Sequence, residues 1–259
     1  MTALQALLTG LSCVALFMTV TWLVQLRTRD AGVVDAVWSW SLGFLGLLYA
    51  VVGPAPLPQR IALGVMAGLW GLRLGTHIFL RNHGKPEDRR YRQLREEWGA
   101  QVNLKMFGFY QFQAIVALAL SSSFLVAAYN LQALPVWPIA LAVSIWLVSV
   151  AGEGIADWQM ERFRANPANH GQVCKQGLWR YSRHPNYFFE CLHWLAYLPL
   201  VLGSSWWWAA LFSPVLMAYL LMKLSGIPLL ERDMAERKPG YAEYMRTTSA
   251  LIPWPPKRA

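Results

Sequence analysis

The chain has 259 residues, of which 56% are hydrophobic and 14% are charged. Soluble domains carry about 25% charged residues, so the composition argues against a soluble domain and favours a membrane protein. A net charge of +9 could suit nucleic acid. The basic residues are concentrated between hydrophobic segments, however, which is typical of the cytoplasmic face of a membrane protein, so no nucleic-acid partner is expected.

Seven segments are apolar and long enough, at about 20 residues, to cross a bilayer. In chain order they are Ala3–Leu26, Val33–Val52, Ile61–Leu80, about 107–130, about 136–157, Tyr187–Gly203 and Trp206–Leu230. The fourth and fifth are separated by YNLQALPVWP, in which two prolines and two amides favour a turn. The expected fold is an all-α integral membrane protein with seven transmembrane helices, forming one domain over residues 1–259.

The distribution of basic residues predicts the orientation. With the N-terminus outside, the cytoplasmic segments contain 21 of the 23 Lys and Arg residues. These segments are 27–32, 81–106, 158–186 and the tail, counted with Lys223. Cytoplasmic loops are enriched in Lys and Arg, so an outer N-terminus and a cytoplasmic C-terminus are expected.

Several ionisable side chains lie within or at the edges of the predicted spans. They are Asp35, Arg73, His77, Glu153, Asp157, Glu190 and His193. Each costs roughly 2.5–3.5 kcal/mol at mid-membrane, so such residues usually face the bundle interior and mark functional sites. Most are near the cytoplasmic ends, which predicts a polar cavity there. The alternative is a structural salt bridge between Arg73 and either Asp35 or Glu190.

The third span also carries glycines on one stripe, which predicts close helix packing. The stripe comprises Gly64, Gly68, Gly71 and Gly75. Other kinds of site are poorly indicated. GEGIAD (152–157) lacks the third glycine of a dinucleotide-binding turn, no G-x-S-x-G motif occurs, and His170 and Cys174 have no second ligand pair at zinc spacing, so no metal is expected.

Three motifs together resemble the steroid 5α-reductase superfamily. They are GLWRYSRHPNY (Gly177–Tyr187) followed by Glu190, YAEYMRTTSALIP (Tyr241–Pro253), and LRLGTHIFLRNHGKP (Leu72–Pro86) with its Asn-x-Gly-x-Pro turn. Most of the resemblance lies in residues 150–259. It implies a bacterial inner-membrane enzyme that takes NADPH from the cytoplasm and reduces the Δ4 double bond of a 3-oxo-Δ4-steroid. The expected partners are membrane lipids and a lipophilic, steroid-like substrate, and a monomer is expected.

By position, the resemblance also assigns the cofactor-binding residues. They are Asn82, Asp157, Arg164, Tyr181, Arg183, His184, Asn186, Tyr187, Glu190, Glu231 and Tyr244. Arg183 and His184 are expected to hold phosphate or ribose, with lipid headgroups as the alternative. Asn186 and Glu190 are expected to hydrogen-bond the nicotinamide amide, with helix capping as the alternative. Tyr244 contacts the cofactor or packs the tail against the bundle.

The catalytic assignment departs from the family pattern. The family uses a glutamate on the second span and a tyrosine on the third. Asp35 is the one carboxylate on the second span here, and Trp70 and Arg73 lie nearest to the position of the tyrosine. Desolvation keeps a buried carboxyl protonated, so Asp35 is the expected acid, assisted by Arg73 or His77.

Two other functions remain open. The RHPNY and YAEY-to-LIP pattern is also similar to isoprenylcysteine carboxyl methyltransferases and phospholipid methyltransferases, which bind S-adenosylmethionine. A transporter is the third possibility; the basic inner loops and the lack of an inverted repeat argue against it.

Overall fold

The computed structural model describes residues 1–224 and 226–257, and every regular element in these ranges is helical. The α-helices are α1 Ala3–Thr28, α2 Val33–Val52, α3 Leu57–Asn82, α4 Arg89–Trp98, α5 Val102–Leu120, α6 Ser122–Ala128, α7 Val136–Ala165, α8 Pro185–Leu195, α9 Trp207–Ala210, α10 Phe212–Tyr219, α11 Ile227–Arg237 and α12 Tyr241–Thr247. Short 3-10 helices span Gly99–Gln101, Pro167–Asn169, Gly177–Arg180 and Leu198–Val201, and Leu220–Leu224 is π-helical.

Within residues 1–224 and 226–257, five helical segments are long and apolar enough to cross a membrane, which makes the chain a multi-pass membrane protein. They are α1, α2, α3, α7 and the segment Trp207–Arg237. The first three, the fifth and the seventh predicted spans are thereby confirmed as candidate membrane helices. The fifth continues past its predicted end to Ala165 and the seventh to Arg237. The segment Arg89–Leu120, which ends with α5, would form a sixth span together with α6, but the two are bent by 41° at the break between them.

The structure differs from the predicted fourth and sixth spans. At the α5–α6 bend, Ser121 Oγ donates to Leu118 O at 2.7 Å, and such local bonds compete with regular helix geometry. The predicted span Tyr187–Gly203 is divided into α8 and the 3-10 helix Leu198–Val201. Eleven residues extend only about 16 Å as a helix, roughly half of a bilayer core. The count of seven spans and the orientation therefore stay predictions.

The chain forms two compact units, Met1–Ile139 with Tyr197–Ser213, and Ala140–Ala196 with Pro214–Ala259. In the first unit, the predicted glycine stripe lies against α2. A Cβ on Gly71 would be 2.7 Å from Gly43 Cα, so the two backbones touch. Gly75 accommodates the indole of Trp40 in the same way. Only residues without a side chain permit this approach, and the prediction of close packing is confirmed.

In the second unit, α7 and the loop after it enclose a small apolar core. Its members are Phe163, Cys174 and Trp179, with Met160 packed against them. Trp179 Nε1 donates to Ala156 O at 2.9 Å, which fastens the loop to α7. This core positions the stretch 181–184 immediately before α8.

Candidate functional site

Arg183 lies at the centre of a buried ionic cluster in the second unit. Its Nε donates to Glu231 Oε1 at 2.6 Å and its Nη2 donates to Glu231 Oε2 at 3.1 Å. Its Nη1 donates to the main-chain oxygens of Met245, at 2.9 Å, and Thr248. All three guanidinium nitrogens are therefore engaged by α11 and the C-terminal tail.

His184 completes this group, which we call the Glu231 cluster (Arg183, His184 and Glu231). His184 Nε2 lies 3.0 Å from Glu231 Oε1, and its ring stacks on Tyr187 with centroids 5.4 Å apart and an interplanar angle of 11°. Buried charges are tolerated where they are paired and hydrogen-bonded. The cluster accordingly fastens the start of α8 to α11 and the tail.

This geometry differs from the predicted phosphate role of the cluster. Arg183 is 9% exposed and Glu231 is 8% exposed, and each already satisfies the other. A phosphate group would have to displace Glu231 or the tail carbonyls to reach the guanidinium. In the structure the Arg183 guanidinium is instead engaged by Glu231 and the tail carbonyls, and its predicted phosphate and headgroup roles stay predictions.

Tyr244 of α12 connects the C-terminal tail to the loop that precedes α8. The Tyr244 hydroxyl donates to the main-chain oxygens of Trp179 and, at 3.3 Å, Ser182. Burial raises the pKa of Tyr244, and burial followed by the charge of Glu231 raises the pKa of Tyr241 to about 12. Tyr244 thus packs the tail against the loop, the alternative to its predicted cofactor contact.

Tyr181 contributes through its backbone. Its side chain is exposed, and its carbonyl oxygen accepts from Trp254 N at 2.9 Å. The tail therefore follows the 181–184 stretch as an added strand-like segment, with a single parallel bridge between Ser182 and Ser249.

The first turns of α8 present a different kind of polar surface. Asn186 Oδ1 is shielded from solvent and has no hydrogen-bond partner within residues 1–224 and 226–257. Glu190, one turn later, is 7% exposed, and its Oε1 accepts from Trp194 Nε1 at 2.9 Å. No side chain caps the N-terminus of α8, so the capping role predicted as an alternative for Asn186 is not observed.

The fold explains why this face stays in place. Pro185 occupies the first helical position, where a missing N–H costs nothing. Phe189, the residue before Glu190, packs directly onto Gly152 of α7, where any side chain would overlap the ring. We call Asn186 and Glu190 the α8 polar face.

Asp157 and Arg164 occupy α7, two turns apart and on one side of it. Asp157 is half-buried and Arg164 is exposed. Both take part in further polar or electrostatic interactions.

Asp35 belongs to the first unit, in the first turn of α2, and both of its oxygens accept hydrogen bonds. Tyr91 Oη donates to Oδ1 at 2.6 Å, and Arg90 Nη2 donates to Oδ2 at 2.9 Å. Arg90, rather than Arg73, is thus the ionic partner of Asp35. Asp35 is an acceptor that holds α4 on α2, which differs from the hydrogen-bond donor that the acid role requires.

Asp88, which precedes α4, supports the same arrangement. Burial opposes its ionisation, but the Arg90 guanidinium and N–H both hydrogen-bond its carboxylate, and the net effect is a pKa below the usual value. Arg90 therefore connects two carboxylates at the cytoplasmic end predicted for α2.

Arg73, His77 and Asn82 all lie on α3. Arg73 and His77 are half-buried and one turn apart, as their spacing predicts, and both interact with other groups. Asn82 is the last residue of the helix, and its Oδ1 accepts from Arg81 Nε at 3.4 Å. The predicted turn follows, with Gly84 in the left-handed region at φ 72°.

Sequence reasoning missed several partners. Arg90 and Tyr91 stand in a charge run that reads as a solvated helix face, yet Tyr91 is 4% exposed. The carbonyl groups that hold Arg183 come from residues more than 60 positions away. No spacing rule connects such positions. The described residues contain no group of three side chains able to hold a metal ion.

Comparison with known proteins gives one match. A family model described as "Protein of unknown function (DUF1295)" matches residues 21–248. No curated protein and no solved structure matches the chain. The matched range begins before Asp35 and ends after Tyr244, so it includes every candidate site residue named above. The chain therefore belongs to the DUF1295 family of proteins of unknown function.

Proposed function

We propose that this protein is an NADPH-dependent reductase that reduces the Δ4 double bond of a 3-oxo-Δ4-steroid or a similar lipophilic enone. The observation that carries the proposal is the α8 polar face. Among the described residues, Asn186 Oδ1 is a shielded acceptor without a donor, and it lies one helical turn from the buried Glu190. The sequence resemblance assigns the nicotinamide contacts to these same two residues.

An unsatisfied buried carbonyl costs roughly 1–3 kcal/mol, so its presence needs a reason. A carboxamide such as that of nicotinamide carries N–H donors that would satisfy Asn186, and Glu190 adds a second acceptor on the same face. These two acceptors therefore fit the N–H donors of the carboxamide. We expect no direct cofactor contact from Arg183, Glu231 and Tyr244, because their polar atoms are engaged within the chain.

Arg164 is the best remaining phosphate contact among the predicted residues, because it is an exposed cation at the end of α7. Guanidinium groups bind phosphate through paired hydrogen bonds. The sequence resemblance also assigns Asp157 and Asn82 to the cofactor.

Bound NADPH would supply the hydride, and the protein would supply orientation and charge stabilisation. Reduction of an enone builds negative charge on the carbonyl oxygen, which must be met by a hydrogen-bond donor in a water-poor site. Arg73 and His77 are the donors we assign to this role, since both carry N–H groups. Asp35 serves instead to hold α4 through Arg90 and Tyr91.

The topology that accompanies the proposal has seven spans, an outer N-terminus and a cytoplasmic C-terminus. The bent α5–α6 pair would be the fourth span, and α8 with Leu198–Val201 would be the sixth. The protein would act as a monomer in the bacterial inner membrane, surrounded by lipid, with its cofactor residues facing the cytoplasm. The concentration of Lys and Arg in the predicted inner segments supports this orientation.

The test is turnover by the detergent-purified chain with NADPH and progesterone. We expect NADPH oxidation that depends on the steroid, with a dihydro product seen by mass spectrometry. Arg73→Gln should lower kcat about 100- to 1,000-fold, the loss expected for one transition-state donor, whereas Arg60→Gln in the predicted outer loop should not. Methyl transfer from S-adenosylmethionine without any NADPH oxidation would replace the reductase proposal with the methyltransferase alternative.

A further inference from the structure

The second unit contains an open cavity of about 560 Å³ on the loop that follows α7. Its lining consists of His170, Gly171, Gln172, Val173 and Lys175 on one side and Pro239 and Gly240 on the other. Lys238 Nζ donates to Gln172 O at 2.7 Å and so connects the two sides. None of these residues belongs to the Glu231 cluster or to the α8 polar face.

The cavity has an excess of positive charge. Lys175 lines it directly, Lys238 precedes the lining residue Pro239, and Arg164 is close enough to influence Lys238. Burial, followed by the charges of Arg164 and Arg237, lowers the pKa of Lys238. Within the described part of the chain, Lys238 has a carbonyl oxygen as its partner and no carboxylate. Its positive charge is therefore left without a counter-charge.

Lys175 has a carboxylate near it, that of Glu243 on α12. Glu243 Oε2 lies 3.5 Å from Lys175 Nζ, and the two side chains are 51% and 45% exposed. Solvent-exposed pairs of this kind contribute little, so Lys175 can exchange this partner for a stronger anion.

The backbone leaves the mouth of the cavity open. Gly171 and Gly240 have φ values of 77° and 79°, and no atom lies within 4 Å of a Cβ built on either. Glycine adopts this conformation without steric cost and lets a ligand approach the main chain closely.

We propose that this cavity binds a phosphate group, carried either by a nucleotide or by free inorganic phosphate. Lysine ammonium groups bind phosphate as point charges, and two lysines with open glycine backbone provide charge and access together. The shared chemistry is the multiply charged phosphate oxyanion. The proposal does not depend on hydride transfer or on Asn186.

The experiment measures binding to the full detergent-purified chain by calorimetry, with 2′,5′-ADP, inorganic phosphate and adenosine as probes. We expect 2′,5′-ADP to bind and adenosine, which lacks phosphate, not to bind. Inorganic phosphate that competes at similar concentration would identify free phosphate as the ligand, and its failure to compete would identify the nucleotide.

Substitutions at the cavity give effects of opposite sign. Lys238→Ala and Lys175→Ala should each weaken binding at least about tenfold, the effect of losing one charge-assisted hydrogen bond. Glu243→Gln should strengthen binding, because it removes the competing carboxylate from Lys175. Lys105→Ala, an exposed lysine of α5, is the control for net charge and should leave binding unchanged.

The proposal is wrong if no phosphate-bearing probe binds, or if the two cavity variants bind like the Lys105→Ala control. Glu243→Gln guards against misfolding, since a damaged protein would not bind more tightly. NADPH-dependent turnover together with unchanged binding in Lys238→Ala would reject this site and leave the proposed reductase function standing.

Discussion

The Glu231 cluster and the α8 polar face lie next to each other along the chain, yet they satisfy their polar groups in opposite ways. Arg183, His184 and Glu231 find partners in one another and in the tail carbonyls. Asn186, two residues beyond His184, keeps a shielded oxygen that has no partner in the part of the chain that the structure describes. A buried polar residue therefore indicates a ligand only where the chain itself supplies no partner.

The largest effect should follow from opening the Glu231 cluster. Glu231→Ala leaves the Arg183 guanidinium buried without its carboxylate, and breaking such a pair costs roughly 3–5 kcal/mol. We expect a large fall in the thermal midpoint of the purified protein. Glu236→Ala is the matched control on α11, because its side chain is 61% exposed and lies 3.9 Å from Arg232.

Equal midpoints for these two variants would contradict the structural role of the cluster. A stable Glu231→Ala protein that has lost only NADPH affinity would return Glu231 to the cofactor site, as the sequence predicts.

The second effect concerns ligand affinity rather than stability. Asn186→Leu removes the unpaired oxygen, so the thermal midpoint should stay level or rise, as it often does when a functional polar group is replaced. Affinity for NADPH should fall at least about tenfold, or about 1.4 kcal/mol. Titration calorimetry measures the NADPH affinity of Asn186→Leu and of Asn103→Ala, a control at an exposed position. Destabilisation with unchanged NADPH affinity would make Asn186 structural.

A smaller effect is expected from the tail tyrosines. Tyr244→Phe removes a hydroxyl that donates to Trp179 O and Ser182 O, which should cost about 1 kcal/mol. Tyr241→Phe is the control, because the Tyr241 hydroxyl has no hydrogen-bond partner in the described ranges. Thermal midpoints compare the two. A larger loss for Tyr241→Phe would contradict the assignment of the tail contact to Tyr244.

The smallest effect appears only in alkaline solution. The pKa of Tyr241 is raised to about 12, so the folded protein retains its phenolic proton when the unfolded chain loses it. The corresponding stability is complete below about pH 10, the ordinary pKa of tyrosine, and is lost as the pH rises through about 12. Tyr241→Phe should therefore lose less stability than the wild type from about pH 10 upward. Parallel pH profiles would contradict the raised pKa.

Much of the fold could be predicted from the sequence, because long apolar runs have few alternatives in a bilayer. Val33–Val52 is a helix with the predicted bounds, and the glycine stripe does pack against α2. The predicted helix over Tyr187–Gly203 is interrupted after Leu195 instead. Hydropathy measures how apolar a segment is and does not register a break such as the one before Leu198–Val201.

The candidate site could be predicted only as a set of residues. Chemical type and helical spacing identified Asn186 and Glu190 as one face, and the structure keeps them one turn apart. The partners of Arg183 and Asp35 depend on tertiary contacts between distant positions, which no local pattern contains. A motif residue can therefore either bind a ligand or hold the fold. Hydrogen bonds to partners within the chain indicate the second role.

The most direct measurement is the thermal midpoint of the wild-type protein and of Asn186→Leu in the presence of NADPH and of S-adenosylmethionine. Ligands that bind only the folded state raise the midpoint, and at a fixed concentration the rise is larger for a lower Kd. The account predicts that NADPH raises the midpoint of the wild type, that Asn186→Leu loses most of this rise, and that S-adenosylmethionine has no effect on either. A rise with S-adenosylmethionine alone, or an undiminished NADPH effect in Asn186→Leu, would contradict it.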